Sequence, residues 1–170
     1  MRDAITLRSM IADDLEFLYE VYASTRAEEL AVTGWDDAQK EQFLRMQFNA
    51  QHQYYQGQYP DALYQVILWK DLRVGRLYVH RRTQEIGVID IALLPAYRKQ
   101  GIGSLLLREV LIEGAAANLP VRIYVERSNP ALNLYERLGF RRTRDTGIYL
   151  HMEWTPPTGD ALEISTCQNQ

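Results

Sequence analysis

The sequence has almost no cysteine: its one cysteine, Cys167, stands three residues before the C-terminal Gln170. One thiol cannot form an internal disulfide, and it is too few for a cysteine-rich metal site. Histidine is also scarce, since only His52, His80 and His151 are present and no two of them are close in sequence. Because zinc and iron sites need clustered ligands of these types, we expect no bound metal.

Long apolar runs and a large excess of one charge are absent as well. No run approaches the roughly 18 apolar residues of a membrane-spanning helix, and residues 1–12 lack the apolar core of a secretory signal. The 19 Lys and Arg residues nearly balance the 22 Asp and Glu residues, and the net charge is −3. A broad positive surface for nucleic acid is therefore not expected. The sequence predicts a cytoplasmic protein without nucleic-acid or membrane partners.

What is present is an ordinary globular composition. Of the 170 residues, 46% are hydrophobic and 24% are charged, which is typical of one folded domain. Residues 155–170 hold two prolines and mostly polar side chains, so we expect a disordered or loosely packed tail. The predicted domain therefore covers residues 1–154.

Apolar periodicity along the chain predicts a mixed α/β fold. The pattern indicates a strand, two helices, three strands, a helix, a strand, a helix and two strands. The second helix includes a Gln-rich segment, residues 39–58. Three strands with short turns, near 63–69, 74–80 and 85–94, predict an antiparallel meander. We therefore predict one twisted, mostly antiparallel sheet of about seven strands, flanked by about four helices.

Local signals predict where the helices begin and end. Asp13 is expected to cap the first helix, because an aspartate oxygen can accept from the first free N–H groups. The dipeptide Asn129-Pro130 is expected to open a short last helix, and Gly139 is expected to end it.

The most informative stretch is 98–104, Arg-Lys-Gln-Gly-Ile-Gly-Ser. It follows an apolar strand pattern closed by Pro95 and precedes a helical pattern over 105–117. Its two glycines let backbone N–H groups approach a ligand without a Cβ in the way, and a helix N-terminus favours anions. Arg98 and Lys99 add positive charge. The stretch therefore predicts a phosphate-binding loop.

Other phosphate-binding loops do not fit this spacing. The sequence has no Gly-x-x-x-x-Gly-Lys-Ser/Thr, and Gly101-x-Gly103 lacks the third glycine of a dinucleotide-binding fingerprint. A second pattern follows the loop and contains Asn129, then Leu134-Tyr135, then Gly139-Phe140.

Together the two patterns resemble the GNAT superfamily of acyl-CoA N-acyltransferases. The family's central motif is Arg or Gln, two residues, Gly, one residue, then Gly or Ala, and Arg98-x-x-Gly101-x-Gly103 matches it. The segment from Asn129 to Phe140 resembles the family's signature at the fifth strand and fourth helix. The well-matched part runs from about residue 85 to 154, whereas the first half matches only in the order of its elements. The resemblance implies the acyl-CoA N-acyltransferase fold, with transfer of an acetyl group from acetyl-CoA to a primary amine of a small molecule or peptide.

The resemblance also implies a set of residues that bind acetyl-CoA. In the family, loop N–H groups hold the CoA pyrophosphate, the pantetheine arm adds beside the fourth strand, and an asparagine hydrogen-bonds that arm. The expected cofactor-binding residues are Ile91, Leu93, Arg98, Lys99, Gln100, Gly101, Ile102, Gly103, Ser104 and Asn129. Asn129 lies six residues before Tyr135, where many relatives have seven, so Ser128 is an alternative for its role. Asn129 would otherwise cap the short helix.

Tyr135 is the expected general acid, because a phenol with a pKa of about 10 stays protonated at neutral pH and can protonate the departing thiolate. The general base stays open. An alkyl ammonium with a pKa of about 10.4 must lose a proton before it attacks, and the usual carboxylate position of the family falls near Gly87. The candidates are Asp90, Glu126 and Glu85, and each could equally be a structural carboxylate.

Acceptor recognition is expected from the first two helices and the last hairpin. The aromatic candidates are Trp35, Tyr54, Tyr78 and Tyr149. Tyr78 or Tyr124 could also end a water chain that carries the amine proton. An aromatic site with nearby acids would suit a cationic amine.

Two other functions stay open at this point. The chain could be a non-catalytic module that binds acyl-CoA for regulation or interaction, because the usual base position is not acidic. The same fold could also use a longer acyl donor. A homodimer is a further arrangement that the sequence leaves open.

Overall fold

The computed structural model describes residues 1–158 of the chain. The strands are β1 (Ile5–Ser9), β2 (Leu63–Trp69), β3 (Leu72–Arg81), β4 (Ile86–Leu93), β5 (Val121–Glu126), β6 (Arg141–Asp145) and β7 (Tyr149–Trp154). The helices are α1 (Leu15–Ala31), α2 (Asp37–Gln58), α3 (Ile102–Ala117) and α4 (Leu132–Arg137). The sheet has seven strands in the order β1-β2-β3-β4-β5-β7-β6. The predicted fold class and order of elements are confirmed.

The chain divides into two compact units. The first contains Met1–Arg81 and Val88–Leu105, and the second contains Arg82–Gly87 and the chain from Leu106 onward. In the first unit, β2 pairs antiparallel with both β1 and β3. The turn between β2 and β3 uses two residues with positive φ, Lys70 at 48° and Asp71 at 66°. The expected turn at this position is therefore present.

Helices α1 and α2 cover the first unit's core. Their buried apolar side chains pack together with one residue of β2; these are Phe17, Leu18, Val21, Leu44, Phe48 and Val66. Helix α2 begins with a capping box, in which the Asp36 carboxylate accepts from the Gln39 N–H at 2.8 Å and the Asp36 N–H donates to the Gln39 amide at 3.0 Å. Two otherwise unpaired donors are satisfied in this way, which fixes the start of the helix.

In the second unit, β7 pairs antiparallel with β5 and with β6. Packing requires a glycine at position 114 of α3, because a Cβ there would lie 2.9 Å from Val121 Cγ2 and 3.0 Å from the Leu119 carbonyl oxygen. Gly139 ends α4 with a φ of 99°, as expected.

The structure corrects both predicted helix starts. Helix α1 begins one residue later than expected, and the acid that matters is Asp14, whose carboxylate accepts from the Ile11 N–H at 2.9 Å and from Arg8 at 2.6 Å. Helix α4 begins at Leu132, because the Asn129 side chain accepts from the Ala131 N–H at 2.8 Å and folds the chain into a turn first. The predicted tail begins with residues 155–158, which have no regular structure, and Cys167 lies outside the described residues.

Candidate active site

The loop before α3 contains two residues with positive φ. Lys99 has a φ of 58° and Gly101 a φ of 86°, so the chain turns sharply twice before the helix starts. The Leu105 N–H donates to the Gly101 carbonyl at 2.9 Å, which is the first hydrogen bond of the helix. The N–H groups of the three residues in between, 102–104, precede any helical acceptor. N–H groups in this position, together with the helix dipole, favour an anion.

Gly103 stands in this site without a packing reason inside the protein. A Cβ added there would find a single neighbour within 4 Å among the described residues, Ile91 Cδ1 at 4.0 Å. Glycine in a helix costs about 1 kcal/mol relative to alanine. One use of glycine is to let a ligand approach the backbone closely, and at a helix start this use is open to Gly103. The loop therefore fits the diphosphate of a nucleotide-like ligand.

The Arg98 side chain is engaged with the protein. Its Nε donates to the Leu93 carbonyl at 2.8 Å and its Nη2 donates to the Ser24 hydroxyl at 3.0 Å. The Gln100 amide likewise donates to the Ala96 carbonyl at 2.7 Å. These bonds hold the shape of the loop, so the structure gives Arg98 a positioning role in addition to its charge.

The expected pantetheine-binding residues of β4 lie beside the loop. Ile91 and Leu93 are both half-buried. Ile91 is the nearest side chain to Gly103, and Leu93 is tied to the loop through Arg98. The structure therefore brings β4 and the loop together, as the prediction requires.

Asn129 and Tyr135 lie in the second unit. The Asn129 Oδ1 accepts a hydrogen bond from the Ala131 N–H, which is the capping alternative stated above. Tyr135 is 3% exposed and packs edge-on against Phe140, with ring centroids 6.0 Å apart. Its predicted role as an acid stays a prediction.

Two of the three candidate bases are paired with arginines. Asp90 forms an ion pair with Arg76, and Glu85 forms one with Arg122. Accepting a proton would leave each arginine without this counter-ion, which is most costly for the buried Arg76. Glu126 lies half-buried at the end of β5. The identity of the base stays open among these residues.

Comparison with known proteins agrees with this geometry. The structure is similar to that of PaiA N-acetyltransferase from Thermoplasma acidophilum in complex with coenzyme A, with a TM-score of 0.67 and 22% identity over 89% of this chain and 98% of that chain. It is also similar to an acetyltransferase from Thermus thermophilus, with a TM-score of 0.64 and 18% identity over 89% of this chain and 97% of that chain. A GNAT family acetyltransferase from Elizabethkingia anophelis with acetyl-CoA bound has a TM-score of 0.56 and 17% identity over 90% of this chain and 99% of that chain. At these identities the likeness shows a shared fold.

The sequence comparison is more specific. Residues 61–142 match the family described as acetyltransferase (GNAT) domain, and this range contains both the loop and Tyr135. The chain carries a GNAT acetyltransferase domain. No protein of curated function matches the chain by sequence.

Outside the loop, the expected acceptor residues lie in different settings. Trp35 is 38% exposed and packs edge-on against Phe43 with centroids 5.1 Å apart. Tyr54 and Tyr149 are exposed, whereas Tyr78 is only 1% exposed. Tyr78 therefore differs from the others, because its ring lies inside the first unit and not on its rim.

The sequence reasoning missed the surroundings of Tyr78. A layer of polar side chains lies between the helices and the sheet, and we call it the polar layer; it consists of Tyr22, Gln47, Gln51, Arg76, Tyr78 and Asp90. Arg76 is 3% exposed and donates to the Gln51 amide at 2.9 Å, and the Tyr22 hydroxyl donates to Gln47 at 3.1 Å. Alternation along β3 places Arg76 on the same face as Tyr78, which was the available signal.

His52 lies at the edge of this layer on α2. Burial lowers the pKa of His52, and the nearby Arg76 lowers it further. The imidazole is therefore neutral at neutral pH. It stacks on Phe48 with ring centroids 5.7 Å apart.

Residues 1–158 hold no group of His, Cys, Asp and Glu side chains placed to bind a metal ion. None of their helices combines the length and the apolar character that crossing a membrane requires.

Proposed function

We propose that this protein transfers an acetyl group from acetyl-CoA to a primary amine of a small molecule or peptide, by direct attack in a ternary complex. The observation that supports this most is the loop before α3, where the N–H groups of residues 102–104 lie in the first turn of the helix. A Cβ on Gly103 would have one neighbour within 4 Å among the described residues, Ile91 Cδ1 at 4.0 Å. The family match over residues 61–142 supports acetyl transfer as the chemistry.

In this proposal the loop N–H groups hold the pyrophosphate of the donor, and Arg98 keeps the loop in shape through Leu93 and Ser24. The backbone of Ile91 and Leu93 receives the pantetheine arm, and a backbone N–H there stabilises the oxyanion. Asn129 contributes a hydrogen bond through its side-chain amide.

The chemistry requires two proton movements. The amine nitrogen bonds to the thioester carbon, the C–S bond breaks, and Tyr135 donates a proton to the leaving thiolate. The amine proton passes to a carboxylate, to water or to a chain ending on a tyrosine. Asp90, Glu126 and Glu85 are the candidates for this base, and the neutral variants Asp90→Asn, Glu126→Gln and Glu85→Gln rank them through the pH profile of kcat.

Calorimetry with acetyl-CoA tests the binding step, and release of free thiol with a panel of amines tests the transfer. We expect binding and amine-dependent thiol release. No binding at millimolar acetyl-CoA would exclude the proposal. A competition between acetyl-CoA and longer acyl-CoA esters decides the acyl length, for which we expect acetyl.

A second candidate function is an acyl-CoA-binding module without transfer activity. The observation that favours it is the pairing of two candidate bases with arginines, Asp90 with Arg76 and Glu85 with Arg122. Binding of acetyl-CoA without thiol release across diverse amines and peptides would support the module over the enzyme.

A further inference from the structure

The polar layer contains three buried polar atoms without a hydrogen bond. They are two donors, the Arg76 Nε and the Tyr78 hydroxyl, and one acceptor, the Asp90 Oδ2; none has a hydrogen-bond partner among the described residues, although Asp90 is ion-paired with Arg76. Folded proteins rarely leave buried donors unpaired, because each has lost its hydrogen bonds to water. A ligand that supplies the missing acceptor is one explanation, and the layer's chemistry indicates which ligand.

The Arg76 Nε and the Tyr78 hydroxyl both need an oxygen atom that accepts a hydrogen bond. A guanidinium can only donate. Burial raises the pKa of Tyr78, although Arg76 partly opposes that shift, so the phenol is protonated and donates as well. The Arg76 guanidinium carbon lies 5.1 Å from the centroid of the Tyr78 ring. The two side chains therefore lie side by side on one face of β3.

Asp90 supplies the opposite charge beside them. Its carboxylate pairs with Arg76; its side chain is 21% exposed, although its Oδ2 is buried. An ion pair of this kind presents a cation and an anion side by side. A ligand complementary to this ion pair carries an ammonium group and an acceptor oxygen on neighbouring carbons.

We propose that the polar layer recognises the acceptor, and that the acceptor is an amine with a carboxylate or carbonyl oxygen on the adjacent carbon. Asp90 holds the ammonium, and Arg76 with Tyr78 holds the oxygen. This inference rests on the proposed function, since it names the acceptor class for the same reaction. The shared chemistry occurs in free amino acids and in the N-terminus of a peptide.

Helix α2 has the composition that such a site needs. Its Gln47 and Gln51 face Tyr22 and Arg76, where a purely structural helix would present apolar side chains. The Gln51 amide oxygen occupies one Arg76 donor at 2.9 Å. A ligand oxygen can replace it there, since Gln51 is held to Arg76 through this one hydrogen bond.

The test uses matched acceptors. The twenty amino acids and their amides are screened with acetyl-CoA for thiol release, and the best of them is compared with the amine that lacks its carboxyl group. We expect the amino acid or its amide to exceed the decarboxylated amine by at least tenfold in kcat/KM. A preference for the free acid indicates an amino acid as acceptor, and a preference for the amide indicates a peptide N-terminus.

Tyr78→Phe gives the decisive variant. It removes only the hydroxyl, for which residues 1–158 provide no hydrogen-bond partner of good geometry, so the fold is expected to change little. We expect kcat/KM for the oxygen-bearing acceptor to fall roughly 5- to 30-fold, the factor for one lost hydrogen bond, while the decarboxylated amine changes less than twofold. Tyr64→Phe is the matched control, because the Tyr64 hydroxyl lies 2.8 Å from the carbonyl oxygens of both Tyr55 and Tyr59, so its one proton already has an acceptor within the protein.

Calorimetry of the same acceptors against the CoA-loaded protein gives a readout that does not need turnover. An equal effect of Tyr78→Phe on all acceptors, or equal use of the decarboxylated amine by the wild type, overturns the inference and leaves the transferase intact. Acceptor binding without thiol release instead overturns the proposed function alone. Absence of acceptor binding to the CoA-loaded protein, together with no preference in turnover, overturns the inference.

Discussion

Arg98 donates from Nε to the Leu93 carbonyl at 2.8 Å, so the first residue of the anion-binding loop is tied to the last residue of β4. Leu93 is also where we place the pantetheine arm. The two parts of the proposed donor site are therefore joined by one side chain. Arg98 can matter for acetyl-CoA binding without touching a phosphate.

This relationship predicts an indirect effect of Arg98. We expect Arg98→Gln to weaken acetyl-CoA binding by about tenfold, as for the loss of a hydrogen bond to a charged group. Because most of this effect comes through loop geometry, the salt dependence of the remaining binding should flatten less than in Lys99→Gln. Lys99→Gln is the comparison, since Lys99 is exposed and the loss of its charge should flatten the salt dependence. Calorimetry at several salt concentrations distinguishes the two, and a slope that flattens at least as much for Arg98→Gln would assign Arg98 to direct phosphate contact.

Substitution of Gly103 by alanine should raise the stability of the fold and weaken acetyl-CoA binding. Gly103→Ala adds a Cβ whose one neighbour lies at an ordinary 4.0 Å, so the free energy of unfolding should rise by up to about 1 kcal/mol. The same methyl group enters the space proposed for the pyrophosphate, and acetyl-CoA binding should weaken by at least tenfold. Denaturant unfolding and calorimetry on one preparation measure both.

Gly57→Ala is the control for Gly103. Gly57 lies in α2 and a Cβ there would meet nothing within 4 Å. This variant should gain stability in the same way and bind acetyl-CoA as the wild type does. If Gly103→Ala also binds normally, the loop does not hold the donor as proposed.

The loop could be predicted from sequence because its features are local. The chain passes directly from a strand through Pro95 and two glycines to the start of a helix. The conformation of each of these parts depends on neighbouring residues and needs no distant partner. The strand Leu63–Trp69 was predicted with its observed ends for a similar reason, since the Lys70-Asp71 turn follows it directly.

The polar layer could not be predicted in this way. Arg76 lies in a strand pattern, where an arginine usually indicates an exposed face. It is buried because Asp90 and Gln51, from β4 and α2, reach it through the tertiary fold. The predicted start of α4 was wrong for a local reason. The Asn129 side chain accepts a hydrogen bond from the backbone two residues later, so the helix begins further along the chain.

Tyr135 should affect turnover more than affinity. Tyr135→Phe keeps the ring that packs on Phe140 and removes only the hydroxyl, so folding and acetyl-CoA binding should change little. Loss of a general acid lowers kcat by roughly 100- to 10,000-fold. Steady-state kinetics with the best acceptor, together with calorimetry, measure the two quantities. A variant with unchanged kcat would remove Tyr135 from the acid role.

Asp14 should make stability depend on pH. The hydrogen-bonded Arg8 guanidinium holds the pKa of the Asp14 carboxyl well below its usual range, and burial opposes this shift, while the Ile11 N–H and Arg73 lower the pKa further. A lowered pKa in the folded state means that the stabilisation is fully present above the unfolded pKa of about 3.9 and is lost as the pH falls below it.

Asp14→Asn should therefore cost about 3 kcal/mol at pH 7, because it leaves Arg8 without its buried partner. The difference between variant and wild type should shrink as the pH falls from 5 to about 2, since the wild-type advantage depends on the ionised carboxylate. Urea unfolding at a series of pH values measures this directly. The neighbouring Asp13 is exposed, so Asp13→Asn should show no such trend, and a difference for Asp14→Asn that stays constant down to about pH 2 would mean that the ion pair is not the cause.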